Sequence, residues 1–138
     1  MLVSNLALGV QACYRGPQLY DTERVKEMVK QWVGWYKEWR DILESDLIHG
    51  RRAGGRDLDW MLHVNPKLDT KGMLVVFNPL DAPVERELAV NLYYTGLEDS
   101  VTLHNDDEET RTLPIARNDT VRIPVSVPAR GFRWYALR

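Results

Sequence analysis

The chain has 138 residues, 44% of them hydrophobic and 28% charged, with 18 basic against 20 acidic side chains and a formal net charge of −2. This is the composition of one ordinary globular domain that can bury a real core, and neither a disordered chain nor a coiled coil accounts for it. The near-neutral balance, with no long basic patch, excludes generic nucleic-acid binding, and no apolar stretch is long enough to span a membrane.

A single cysteine, Cys13, closes no internal disulfide and builds no structural zinc site. Metal chemistry would fall to His49, His63, His104 and carboxylates, and no metal ion or cofactor is expected. The chain contains no P-loop, no dinucleotide-binding glycine loop after a strand and no zinc-protease histidine pair. Function therefore has to come from organisation.

The opening Met1–Cys13 segment has small residues, Val10 and Ala12, placed before Cys13 as in a lipoprotein signal. It has no basic residue before Arg15 and is broken by Ser4 and Asn5, so it reads instead as a buried strand over about Leu2 to Val10, crowded with Leu, Val and Ala. Gly16-Pro17 turns the chain. Asp21 or Thr22 then caps a helix running to about Ser45, in which Val25, Met28, Val29, Trp32, Tyr36, Trp39 and Leu43 recur at three- and four-residue steps. Trp32, Trp35 and Trp39 share this spacing, which makes them packing surface before a sugar-stacking platform. So wide a stripe needs more than one partner.

After Asp46 the chain alternates short β-rich runs with turn clusters, the pattern of an antiparallel sandwich. The expected strands are Leu47–Arg52, Leu58–Asn65, Met73–Asn78, Val84–Leu92, Ser100–His104, Thr110–Ile115, Thr120–Val127 and Phe132–Leu137. Met73–Asn78 is continuously apolar, as a central strand is. In Val84–Leu92 the residues Val84, Leu88, Val90 and Leu92 share one face and Glu85, Glu87 and Asn91 the other, with Arg86 as an exception near a sheet end. Val121, Ile123, Val125 and Val127 point inward, and Pro124 on the opposite phase marks an edge strand. The core is expected to hold Leu62, Val64, Leu74, Val76, Leu88, Val90, Ile123, Val125 and Trp134. The fold class is thus mainly β: an N-terminal strand and long α-helix (1–46) followed by an antiparallel β-sandwich (47–138).

This order resembles the end of an α-galactosidase-like glycoside hydrolase, in which the last βα unit of a (β/α)₈ barrel runs into a C-terminal β-sandwich. The likeness is carried by LALGVQACYRGPQLYD at Leu6 to Asp21, WVGWYKEWRDIL at Trp32 to Leu43, GRDLDWMLHVNP at Gly55 to Pro66, KGMLVVFNPLDAPVERELAV at Lys71 to Val90 and PARGFRWYALR at Pro128 to Arg138. It implies that the chain is a fragment, because a barrel alone takes about 250 residues and seven of its eight units are missing. The family's catalytic carboxylates lie on those missing strands, so no acid here inherits their role and the chain by itself is expected to be inactive. The loop after a last barrel strand opens on the catalytic face, so in an intact parent Gln11, Tyr14 and Arg15 would touch substrate.

Among the residues themselves, Asp57 and Asp59 form the most chemical-looking pair. They are two apart and on one face if extended, roughly 7 Å between Cα atoms, with His63 and Asn65 continuing that face. That is within reach of glycoside hydrolysis or a shared metal ion. The plainer reading is pairing with Arg51, Arg52 and Arg56. Three function classes follow: a non-catalytic module supporting a glycosidase barrel; a carbohydrate-binding module stacking sugars on Trp60, Tyr93, Tyr94, Trp134 or Tyr135; and a small hydrolase built on Asp57 and Asp59. The expected partners are the rest of a barrel or a second copy, met through the N-terminal strand and helix, with carbohydrate under the second class and neither nucleic acid nor membrane under any.

Overall fold

The computed structural model describes residues 2–10, 20–107 and 109–138. By its contacts the chain divides into two compact units, Met1–Ser45 and Asp46–Arg138.

The first unit is helical. Helix α1 (Leu2–Leu6) occupies the place expected for the N-terminal strand. Its buried residues Val3 and Leu6 are three apart, the buried Ala7 just beyond it is four from Val3, and a short apolar run looks alike as a buried strand and as a buried helical turn. The strand edge through which self-association was expected is therefore not there. Helix α2 (Glu23–Glu38) starts where a cap was expected: the Thr22 hydroxyl accepts from Val25 N–H at 3.2 Å, and Glu23 and Glu27 pair with Lys26 and Lys30 one turn on. The helix does not run unbroken to Ser45. At Trp39 (φ −101°, ψ 13°) it gives way to the short α3 (Arg40–Leu43). The Trp39 N–H still finds the Trp35 carbonyl and the Leu43 N–H the Trp39 carbonyl, on either side of the break. Glu44 bridges the bend, accepting from the Tyr36 hydroxyl at 2.7 Å and meeting Arg40 Nε at 3.2 Å. The acceptor holds the Tyr36 proton in place and raises the phenol above its ordinary range.

The second unit is β throughout: β1 (Asp46–His49), β2 (Asp59–Val64), β3 (Gly72–Phe77), β4 (Val84–Asn91), β5 (Ser100–His104), β6 (Arg111–Pro114), β7 (Thr120–Val127) and β8 (Phe132–Leu137). Among the described residues all strand pairings are antiparallel. Six strands form one sheet in the order β1-β2-β3-β8-β5-β6, and β4 and β7 form a second. The inward faces of both sheets meet in one core, to which the large sheet gives Leu62, Val64, Leu74, Val76, Val101, Leu103, Tyr135 and Leu137 and the small one Leu88, Val90, Val121, Ile123, Val125 and Val127. Each fully buried aliphatic side chain contributes about 1.5–3 kcal/mol relative to exposure.

The continuously apolar β3 lies between β2 and β8, and β7, with its Pro124, is laddered on one side only, both as expected. Trp134 is the exception in the core. Its ladder partner is Val75, on the opposite face, and the inward residue is Tyr135 against Leu74. Phe132–Leu137 is apolar at nearly every position, so alternation could not select the face. Sandwich connections are fixed from within: buried Asn78 donates its amide to the carbonyls of Ala82, Val127 and Pro128 at 2.8, 3.1 and 3.0 Å while accepting from Leu80 N–H at 3.0 Å.

Candidate functional site

The Asp57–Asp59 segment lies at the entry of β2. Trp60, Leu62 and Val64 turn toward the core, which sends Asp59, Met61 and His63 to the other face. The two carboxylates go separate ways. Asp59 Oδ1 meets Arg51 Nη2 at 3.2 Å, and the Arg51 Nε donates to the Leu58 carbonyl at 3.2 Å, so this arginine closes the 50–58 loop onto the start of the strand. Asp57 is held from the other sheet: Arg86, the polar exception on the inner face of β4, reaches its two oxygens at 3.2 Å each, and Asp57 Oδ1 also accepts from Leu58 N–H at 2.8 Å. Loop closure also relies on Gly50, whose amide donates to the Trp60 carbonyl at 3.0 Å; a Cβ there would run into the Trp60 indole.

Two arginines thus neutralise two aspartates, and the geometry is that of a structural clasp. Gln11, Tyr14 and Arg15, together with Cys13, lie outside the described residues. Of the histidines, His63 is buried and His49 exposed. His104 Nε2 is 4.0 Å from Asp106 Oδ1, and its ring is edge-to-face with Trp134 at 6.3 Å. Among the described residues no three His, Cys, Asp or Glu side chains converge to hold a metal ion, and no helix is long and apolar enough to cross a membrane.

The aromatic candidates separate by burial. Trp134 and Tyr135 are buried and Trp60 is half-buried, whereas Tyr93 and Tyr94 stand 66% and 64% exposed on the 3₁₀ turn Tyr93–Thr95 that follows β4. Two open hollows flank the small sheet. One, of about 510 Å³, is charged, lined by Glu85, Arg86, Glu87 and Arg111 with Pro124 to Ser126. Arg111 already serves the fold there, its guanidinium 3.5 Å from the Pro124 carbonyl and 5.9 Å from the centroid of the Tyr135 ring. The other, of about 390 Å³, is lined by Pro114, Ile115, Ala116, Asn118, Thr120 and Arg122. The burial of Asn78 and the sorting of aromatics by face carried no signal in the sequence beyond an Asn-Pro turn and the adjacency of Tyr93 and Tyr94.

No protein-family model matches the chain. No curated protein matches it either.

Proposed function

We propose that the chain is a non-catalytic module: the C-terminal β-sandwich of a glycoside hydrolase, with a helical segment in front of it, supporting a catalytic barrel that this chain does not contain. The observation that carries the reading is the fate of its one candidate acid pair. Glycoside hydrolysis needs a proton donor and a second carboxylate facing each other across a sugar. Asp57 and Asp59 instead face two different arginines, each bound into the framework. The order of a helical unit followed by an antiparallel two-sheet unit supports the same reading.

Two measurements test it. Purified chain incubated with aryl α- and β-glycosides is expected to release no aglycone; turnover that disappears in Asp57→Asn or Asp59→Asn would promote the hydrolase reading. Transcript mapping addresses the barrel: a message in which the codon for Met1 is preceded in frame by barrel-coding sequence is expected, and a message that starts translation at Met1 with no such sequence would overturn the assignment.

A further inference from the structure

Among the described residues the most exposed large aromatic side chains are the adjacent Tyr93 and Tyr94. The Tyr93–Thr95 turn is held at both ends: Tyr93 N–H donates to Asn91 Oδ1 at 3.0 Å, the buried Thr95 hydroxyl donates to the Leu92 carbonyl at 2.6 Å, and Gly96 (φ +71°) closes the turn in the left-handed region that favours glycine. The Tyr93 and Tyr94 rings meet edge to face, centroids 5.2 Å apart at 83°, while both residues stay largely exposed. A tyrosine side chain has only about two torsions to fix, so little conformational freedom is lost when a ligand settles on it.

The second hollow adjoins this turn. Leu92 N–H donates to the Asp119 carbonyl at 2.7 Å, and the Asn91 amide donates to the Asn118 carbonyl at 3.0 Å, tying the tyrosine turn to the connection between β6 and β7. Asn118, Thr120 and Arg122 line the hollow with amide, hydroxyl and guanidinium groups beside an apolar wall of Pro114 and Ile115. Arg122 Nη1 also meets Glu87 Oε1 at 3.0 Å, which sets an acceptor next to the donor fork. A protein partner would need a broad patch, about 800 Å² a side with an apolar centre. The outer face of the small sheet offers instead Glu85, Glu87, Asn91, Thr120, Arg122 and Ser126. Small apolar planes beside alternating donors and acceptors suit a ligand built from C–H faces and hydroxyl rims.

We infer that the Tyr93–Tyr94 turn and the hollow beside it form a carbohydrate-binding site. The C–H face of a pyranose lies on a tyrosine ring, and its hydroxyls exchange hydrogen bonds with Asn118 and Thr120. The inference does not depend on the chain supporting a barrel, since sugar retention is read on the chain alone.

Native gel electrophoresis of the full chain in plain gels and in gels containing galactomannan, xyloglucan or soluble starch tests it. The chain is expected to be retarded by at least one of the three. Tyr93→Ala with Tyr94→Ala should weaken that retardation about tenfold or more. The Tyr93→Phe, Tyr94→Phe pair, which keeps the rings, should stay within about twofold, and Asn118→Ala should cost about three- to tenfold. Absence of retardation in all three gels, or retardation that survives the double alanine variant with an unchanged circular-dichroism spectrum, overturns the inference. So does a double alanine variant whose sedimenting mass changes, because that assigns the tyrosines to a protein contact.

Discussion

Arg86 crosses from the inner face of β4 to the segment before β2 and takes both carboxylate oxygens of Asp57, Nη1 on Oδ2 and Nη2 on Oδ1, each at 3.2 Å. Its place in the ladder is opposite Val125, in a row otherwise filled by Val84, Leu88 and Val90. A charged side chain is tolerated there because its head escapes at the sheet's end, with half of the side chain exposed, while the stem covers apolar surface. The pair ties β4 of the small sheet to the segment that leads into β2 of the large one. Because both partners are partly solvated, a double-mutant cycle with Asp57→Asn and Arg86→Met, followed by urea unfolding, should give a coupling of about 0.5–1 kcal/mol. The coupling should shrink toward zero at about 1 M salt, where the screening length falls to about 3 Å.

Asn78 is expected to matter more than any surface ion pair. Its amide satisfies carbonyls on both sides of the 78–82 and 127–128 connections, and removing it strands buried acceptors. Asn78→Ala should destabilise by about 2–3 kcal/mol in urea titrations. Asn78→Asp should be at least as damaging, because a carboxylate has no proton to offer three carbonyl oxygens.

Strand positions were legible because turn residues bracket them and because the amphipathic strands alternate: Ser100–His104 and Thr120–Val127 fall where the pattern puts them, Phe132–Leu137 falls where its flanking turns put it, and the other five strands agree within a few residues. Legibility failed where alternation was absent. Leu2–Val10 carries no period that separates strand from helix, and Phe132–Leu137 hides which face Trp134 occupies. At the acid pair, spacing announced two carboxylates on one side of an extended segment, but the partner of Asp57 lies 29 residues away, and only the folded register of β4 brings Arg86 to it.

Deleting the centre of the core should cost what cavities cost. Leu74 is fully buried in the middle of β3, between Leu62 and Tyr135 in the ladder. Leu74→Ala should lower stability by about 2–5 kcal/mol. Tyr93→Ala on the exposed turn should stay within about 0.5 kcal/mol of the parent chain. A Leu74→Ala loss no larger than that of Tyr93→Ala would contradict the core assignment.

One loop tie should resist acid to below the ordinary aspartate range. Asp81 Oδ1 accepts from Arg130 Nε at 2.6 Å, and the guanidinium holds the Asp81 carboxyl below its ordinary range by hydrogen bonding first and by charge second. A folded-state pKa lowered in this way gives a contribution that is complete above the unfolded value and is lost as pH falls through the folded one. Carboxyl-detected NMR titration should find Asp81 protonating below the ordinary aspartate range in the folded chain, and Arg130→Gln should return it to that range. An Asp81 that titrates alike in both proteins would show that the contact does not persist in solution.

The first unit leaves apolar side chains in water: Leu8, Val10, Tyr20 and Met28 are 37%, 54%, 37% and 46% exposed. Under the proposed function these residues belong to the surface that meets a barrel, and without one the nearest apolar surface is a second copy of the chain. Sedimentation equilibrium of the purified chain should therefore give a mass above that of the monomer, falling on dilution as mass action requires. Val10→Asp with Met28→Glu should return it to a monomer, since a charge at each position would have to be desolvated on association. A parent chain that sediments at monomer mass at every concentration would remove these residues as a contact surface, and one that stays associated after both substitutions would move the contact elsewhere.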